Sequence, residues 1–146
     1  MSVLKIKRFG ENSFLPTQGT KNSAGFDLYA CGGNDVFIFP NSIQVIHTGI
    51  SMEIPEGCVG LIYPRSSLGI KENLVLANGT GVIDSDYRGE IMVALYNYGD
   101  TMRVIEPGER IAQIVFTKYE QMEIEEVSSL SETDRGSGGF GSTGKF

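Results

Sequence analysis

Residues 46–54 read Ile-His-Thr-Gly-Ile-Ser-Met-Glu-Ile, and their side chains alternate with a period of two. One face of this segment would carry Thr48, Ile50, Met52 and Ile54. The opposite face would carry His47, Gly49, Ser51 and Glu53. Such alternation predicts a half-buried β-strand, and the Pro-Glu-Gly turn at 55–57 predicts where it ends.

The rest of the chain repeats this pattern of short strands separated by turns. Further strands are predicted at 3–9, 36–39, 59–63, 90–97 and 111–119, and one short helical turn is predicted at 66–72. Gly, Pro, Asn and Asp punctuate the intervals, while β-branched and aromatic residues dominate the strands. The fold class that these features predict is all-β, as a sandwich or a barrel.

The composition of the 146-residue chain restricts its partners and its compartment. A net charge of −6 and a pI near 4.8 argue against binding to a nucleic acid polymer or an anionic membrane. No stretch approaches the roughly 18 apolar residues of a membrane span. Cys31 and Cys58 lie far apart without a CxxC pair. They are predicted to be reduced thiols of a cytoplasmic protein without a zinc site.

The composition changes at residue 128. Between 128 and 146, Gly, Ser and Thr make up 12 of 19 residues, which bury too little apolar surface to offset the entropy of ordering them. The sequence therefore predicts a folded core over residues 1–127, followed by a mobile Gly/Ser-rich arm over residues 128–146.

Three segments contain residue types that can carry chemistry. Asp84 lies in a hairpin-like turn within 81–90, where a carboxylate can form Asx hydrogen bonds or activate a water molecule. Arg65 precedes two serines, which can form either an anion cradle or a capped turn. In the arm, Phe140 stands among glycines downstream of Arg135, so that a stacking face adjoins an anion-binding nest. His47 is the single histidine and is more consistent with a partly exposed strand residue than with a catalyst.

Five segments in order resemble the five motifs of the trimeric dUTPases (dUTP diphosphatases). They are AGFDL at 24–28, PRSSLG at 64–69, GVIDSDYRGE at 81–90, GERIAQI at 108–114 and RGSGGFGSTGK at 135–145. The resemblance implies a jelly-roll-like β-barrel or sandwich in a homotrimer, with the C-terminal arm exchanged between subunits to close the active site. One departure is Phe26, where this family more often has Tyr.

The resemblance also implies an activity, the hydrolysis of dUTP to dUMP and pyrophosphate, with Asp84 activating the water that attacks the α-phosphorus. The α and β phosphates would be held by Arg65, Ser66, Ser67 and Gln113. The nucleoside would be contacted by Asn78, Gly81, Val82, Ile83 and Met92 at the uracil and by Tyr87 at the deoxyribose. The arm would supply Arg135, Phe140, Gly141, Ser142 and Thr143. Mg²⁺ is the implied cofactor, held mainly by the triphosphate, with Asp27 in its outer shell or supporting the site.

Two other functions remain open on the sequence. A deoxycytidine triphosphate deaminase of the same superfamily shares the Arg-Ser-Ser-Leu-Gly segment, but it would be expected to carry a catalytic Glu near the position of Ala94 and to lack the glycine-rich arm motif. A non-enzymatic trimeric β scaffold would bind a protein or a nucleotide as a regulator. The intact Asp84 and the intact arm favour the hydrolase over both.

Overall fold

The computed structural model describes residues 3–139, which contain eleven strands and one short helix. In chain order these are β1 (Lys5–Arg8), β2 (Gly25–Tyr29), β3 (Val36–Ile38), β4 (Ile43–His47), β5 (Ile50–Glu53), β6 (Cys58–Tyr63), α1 (Ser66–Glu72), β7 (Leu74–Leu76), β8 (Gly81–Ile83), β9 (Met92–Asn97), β10 (Arg103–Ile105) and β11 (Arg110–Lys118). The prediction of an all-β chain with one helical turn at 66–72 is confirmed. The helix in this described part is too short to cross a membrane.

The strands form four antiparallel sheets, in the orders β2-β11-β6-β8, β4-β9-β7, β1-β5 and β10-β3. Within residues 3–139 each sheet is open, and no sheet closes into a barrel. At the surface of the β1-β5 sheet, the Lys5 ammonium donates a 2.7 Å hydrogen bond to Glu53, which lowers the pKa of that carboxyl. The long strand β11 lies inside the four-stranded sheet, where it pairs with β2 on one side and with β6 on the other.

All four sheets contribute to one hydrophobic core, in which branched aliphatic side chains predominate. Its fully buried large members are Leu28, Ile38, Ile46, Ile50, Met52, Leu68, Leu74, Ile91, Leu95, Ile105, Ile111 and Ile114. Burial of one such side chain stabilises the fold by about 1.5–3 kcal/mol. Phe26 packs edge-on against Phe116 at the border of this core, so its ring is used for packing.

The predicted single strand over residues 46–54 is wrong, because the chain changes sheets in its middle. Strand β4 pairs with β9, whereas β5 pairs with β1. Gly49 lies between them with a φ of +67°, in the left-handed region that glycine adopts most readily. A Cβ at this position would lie 2.5 Å from the Cys31 sulfur. The alternation of polar and apolar residues continues through Gly49, so the sequence pattern does not indicate the change of sheet there.

The prediction of a hairpin-like turn at 81–90 is also wrong, because its two strands do not pair with each other. Strand β8 pairs with β6, and β9 pairs with β4 and β7, so the two strands belong to different sheets. Residues 84–91, which we call the crossover loop, therefore connect the sheets. Four short strands escaped prediction: β2, which contains Gly and Asp, and β7, β8 and β10, whose three residues are too few to show alternation.

We predict that Gly49→Ala destabilises the fold by about 2–4 kcal/mol, since the left-handed backbone and the overlap with the Cys31 sulfur both oppose the new methyl group. Urea unfolding at fixed protein concentration measures this loss. The matched control is Gly57→Ala, at a φ of +75° with no atom within 4 Å of the added Cβ. This control should lose only about 1–2 kcal/mol. Equal losses in the two variants would contradict the steric role of Gly49.

Candidate active site

A cavity of about 490 Å³ lies against strands β2, β6 and β11. Its lining includes the polar side chains of Ser23, Asp27, Tyr63, Arg65, Ser66, Arg110 and Gln113. Three of the residues predicted to hold phosphate, Arg65, Ser66 and Gln113, are therefore brought together. The fourth, Ser67, lies in the first turn of α1 but outside the lining of this cavity.

Strand register explains why these side chains share one wall. Gln113 on β11 is the cross-strand partner of Asp27 on β2 and of Tyr63 on β6, so all three side chains point to the same face. A β-bulge between Arg110 and Ala112 inserts one residue into β11. The bulge shifts the alternation, so that Arg110 joins Gln113 on the cavity face instead of opposing it.

The two arginines of the cavity are both bonded to Asp27. Arg65 Nε donates to Asp27 Oδ1 at 3.0 Å, and Arg110 Nη1 donates to Asp27 Oδ2 at 3.2 Å. The Asp27 side chain is only 14% exposed. One carboxylate thus orients two guanidinium groups, and the cluster keeps a net positive charge that can attract an anion.

Gln113 and the start of α1 complete the donor set. Gln113 Nε2 donates to the carbonyl of Pro64 at 3.1 Å. Because Pro64 precedes Arg65, this bond holds the Gln113 amide close to the arginine. Arg65 is the N-cap of α1 and makes no capping hydrogen bond through its side chain. Arg65 and the exposed Ser66 both line the cavity, and the Arg65 guanidinium is bonded to Asp27.

A second, smaller pocket of about 170 Å³ lies between β8, the crossover loop and β9. Its lining contains five residues predicted for the site together with one that was not: Val82, Ile83, Asp84, Tyr87, Met92 and Glu90. Two other predicted residues lie outside it. Asn78 is exposed in the preceding turn, and Gly81 is buried against Ile62.

The crossover loop holds Asp84 and Tyr87 in one tight turn. The Tyr87 amide donates to the Asp84 carbonyl at 3.2 Å, and the Tyr87 hydroxyl donates to the Glu90 carbonyl at 3.1 Å. The tyrosine ring lies over Gly89, where an added Cβ would be 2.3 Å from the hydroxyl oxygen. Asp84 is exposed and forms no ion pair within residues 3–139. Its carboxylate can therefore accept a proton from a bound water molecule.

The two pockets have no lining residue in common. The larger pocket contains Arg65 and Arg110 and lacks Asp84, whereas the smaller pocket contains Asp84 and neither of these two arginines. The Arg65–Arg110 pair and the Asp84 carboxylate therefore lie in separate pockets of one chain.

The arm is described only as far as residue 139. Strand β11 ends at Lys118, and residues 119–139 form neither helix nor strand. Arg135 is exposed, and its Nε donates to the Gly138 carbonyl at 3.0 Å within a local turn. The other predicted arm residues, Phe140, Gly141, Ser142 and Thr143, lie outside the described residues.

Several residues that line the two pockets were not predicted as site residues, among them Tyr63, Arg110 and Glu90. Arg110 and Tyr63 flank apolar strand sequences, and only the β-bulge and the register bring them to the cavity. Glu90 forms hydrogen bonds with residues more than forty positions away, Gly49 and His47.

His47 is exposed and hydrogen-bonded to Glu90, and the cysteines Cys31 and Cys58 are free thiols.

Comparison with known proteins identifies the family. The dUTPase family model matches residues 11–144. The deoxyuridine 5'-triphosphate nucleotidohydrolase of Rickettsia felis is 47% identical over 144 residues, covering 99% of this chain and 96% of the relative. The enzyme of the same name from Syntrophotalea carbinolica is 42% identical over 142 residues, covering 97% of each chain.

Solved structures agree with the sequence relatives. The dUTPase of Staphylococcus bacteriophage 80alpha with dUpNHpp superposes with a TM-score of 0.90 at 30% identity, covering 99% of both chains. A mutant dUTPase of phage phi11 of S. aureus, in which a structural Mg(II) ion is coordinated, matches with a TM-score of 0.82 at 25% identity, over 90% of this chain and all of that one. Since the family model and these relatives span nearly the whole chain, this protein belongs to the dUTPase family.

Proposed function

We propose that this protein is a dUTP diphosphatase, which hydrolyses dUTP to dUMP and pyrophosphate. The observation that carries the proposal is the pair of complementary pockets, one with two arginines oriented by Asp27 and one with the exposed Asp84 beside Tyr87. The nucleotidohydrolase relatives that cover the chain end to end support the same substrate. In a cell, this reaction would limit the incorporation of uracil into DNA and supply dUMP for dTMP synthesis.

The arginine pocket is proposed to bind the triphosphate. Arg65, Ser66, Ser67 and Gln113 hold the α and β phosphates through N–H and O–H donors. Arg110 adds a second guanidinium to the wall, 3.2 Å from the shared Asp27. Because phosphate oxygens are strong acceptors, a pre-oriented arginine pair binds them with little loss of side-chain freedom.

The reaction itself is an attack of water on the α-phosphorus. Asp84 orients the water molecule and accepts its proton while the water oxygen forms a bond to phosphorus. The bond from the α-phosphorus to the oxygen that bridges to the β-phosphorus breaks, and pyrophosphate leaves with that bridging oxygen. Arg65 and the other phosphate donors stabilise the negative charge that develops on the transferring group.

The nucleoside is proposed to lie in the smaller pocket. Strand β8 is the last strand of its sheet, so one edge of its backbone from Gly81 to Ile83 can pair with the donors and acceptors of uracil. Asn78 and Met92 flank this edge and leave no space for a 5-methyl group. Tyr87 packs under the deoxyribose, where its ring excludes a 2′-hydroxyl.

The separation of the two pockets supports a homotrimer in which subunits share each active site. One chain would supply the arginine pocket and a neighbour the Asp84 pocket. The arm, residues 128–146, would cross from a third chain over the substrate, with Arg135, Gly141, Ser142 and Thr143 at the γ-phosphate and Phe140 on the uracil face. This arrangement would bring groups together that one chain holds apart. The jelly-roll topology and the core over residues 1–127 belong to this same proposal.

Mg²⁺ fits this protein as a part of the substrate complex. Residues 3–139 contain no cluster of three or more metal-ligating side chains, and both oxygens of Asp27 are bonded to arginines. A cation bound mainly by triphosphate oxygens needs no protein cage, which is the usual mode for Mg²⁺ at nucleotides. When bound, it would neutralise part of the triphosphate charge. Asp27 then supports the site by orienting Arg65 and Arg110.

The deaminase alternative finds no support in the site. Ala94 lies in β9 opposite Val45, and its methyl group cannot transfer protons. No membrane or nucleic acid polymer is proposed as a partner of this acidic chain, and a cytoplasmic location stays a prediction from its cysteines and charge.

We predict that Asp84→Asn lowers kcat for dUTP by about 10²-fold or more, because the amide can hold the water molecule but cannot accept its proton. Binding of a non-hydrolysable dUTP analogue should stay close to that of the wild type. Phosphorus NMR of reactions with Mg²⁺ and dUTP measures both the rate and the products.

The control for this substitution is Asp86→Asn, which changes an exposed carboxylate of the same loop that does not line the pocket. It should keep nearly full activity. Turnover near that of the wild type in Asp84→Asn would remove Asp84 from the mechanism. Orthophosphate in place of pyrophosphate as the wild-type product would contradict attack at the α-phosphorus.

A chain that ends at Thr133 should fold and assemble like the full chain yet lose nearly all hydrolysis, because it lacks the groups that close the site. Phe140→Ala should be milder, costing about 1–3 kcal/mol of transition-state stabilisation for one lost base stack. Steady-state kinetics and light scattering check both. Phe146→Ala, a second aromatic of the arm, is the control and should be silent. Normal hydrolysis by the truncated chain would refute the closing role of the arm.

A further inference from the structure

The Glu90 carboxylate joins the crossover loop to residues 47–50, where the chain passes from β4 to β5. We call this segment the Gly49 junction. Glu90 Oε1 accepts the Gly49 backbone N–H at 2.8 Å, and Glu90 Oε2 lies 2.9 Å from His47 Nδ1. The Glu90 side chain is 26% exposed. Both carboxylate oxygens are therefore bonded to groups more than forty residues away in sequence.

Two further hydrogen bonds join the same two segments. The Ile91 amide donates to the Ile50 carbonyl at 2.8 Å, and the Thr48 hydroxyl donates to the Ile91 carbonyl at 2.5 Å. Ile91 is completely buried and Thr48 nearly so. We call these four contacts between residues 47–50 and 90–91 the Glu90 clamp, and they fix one end of the crossover loop to the core.

The clamp is continuous with the pocket that contains Asp84. The Glu90 carbonyl accepts the Tyr87 hydroxyl, and the Tyr87 amide in turn donates to the Asp84 carbonyl. Glu90 also lines that pocket together with Asp84 and Tyr87. A displacement of Glu90 would therefore move the tyrosine and the turn that holds the carboxylate.

We infer that Glu90 is a positioning residue, which sets the place of Asp84 and Tyr87 by anchoring the crossover loop to the Gly49 junction. Each of its two oxygens is already hydrogen-bonded to a protein group, so the carboxylate is held in place before any substrate binds. This inference rests on the proposed function, in which Asp84 and Tyr87 act on dUTP. Displacement of a reacting group by about 1 Å can cost on the order of 10²-fold in rate.

The test compares Glu90→Ala with Glu90→Gln. The alanine variant loses both carboxylate contacts, whereas the glutamine amide has both an oxygen that can accept from the Gly49 N–H and an N–H group that can donate to a ring nitrogen of His47. The control is Glu72→Ala, which removes a carboxylate of similar exposure, 30%, from its contact with Arg103. Hydrogen exchange of residues 84–91 without substrate and steady-state hydrolysis of dUTP are measured for all variants below their melting temperatures.

We expect Glu90→Ala to exchange faster over residues 84–91 and to lose about 10- to 100-fold in kcat/KM, mainly in kcat. Glu90→Gln should recover most of this loss. Glu72→Ala should lose stability while exchange of the loop and kcat/KM stay unchanged. If Glu90→Ala does not fold, Glu90→Asp replaces it, since the shorter side chain cannot reach both donors.

Three results would overturn the inference: unchanged exchange of the loop in Glu90→Ala, kcat/KM within about twofold of the wild type despite faster exchange, or an equal kinetic loss in the glutamine variant. Failure of the proposed function looks different. In that case the wild-type protein itself would not hydrolyse dUTP, and hydrogen exchange alone would decide whether the clamp anchors the loop.

Discussion

The Asp27 carboxylate between Arg65 and Arg110 is the interaction on which the arrangement of the site depends. It connects β2, the segment after β6 and the start of β11, and it holds two guanidinium groups on one wall of the cavity. Removing this carboxylate would leave two guanidinium groups repelling each other in a partly buried place. The same contact orients both guanidinium groups before any anion binds in the cavity.

The sequence predicted the strand-rich class, the helix over Ser66–Glu72 and most residues of the two pockets, because these features depend on local periodicity or on the motif segments. It could not predict the change of sheet at Gly49, since the alternation of polarity is the same on both sides of that residue. The position of Arg110 depends on a β-bulge, and that of Glu90 on contacts with Gly49 and His47. Such features arise from tertiary pairing, which periodicity does not encode.

The crossover loop and the arginine pocket illustrate two ways of holding a functional group. Asp27 orients its arginines through direct ion pairs within one wall. Asp84 is instead exposed in a loop that is joined by hydrogen bonds of Tyr87 and Glu90 to the Gly49 junction. In the proposed reaction the exposed carboxylate would accept the proton of the water, and the anchoring of its loop would supply the precision that catalysis needs.

We propose that one chain holds two halves of a site that neighbouring chains bring together, and subunit mixing is the decisive test of this proposal. Arg65→Ala and Asp84→Asn would each be inactive alone. Oligomers that contain both, isolated through two different tags, should regain about a third of wild-type activity, because each mixed cyclic trimer has one of its three sites built from two intact halves. Activity no greater than that of the two separate variants would show that each site lies within a single chain.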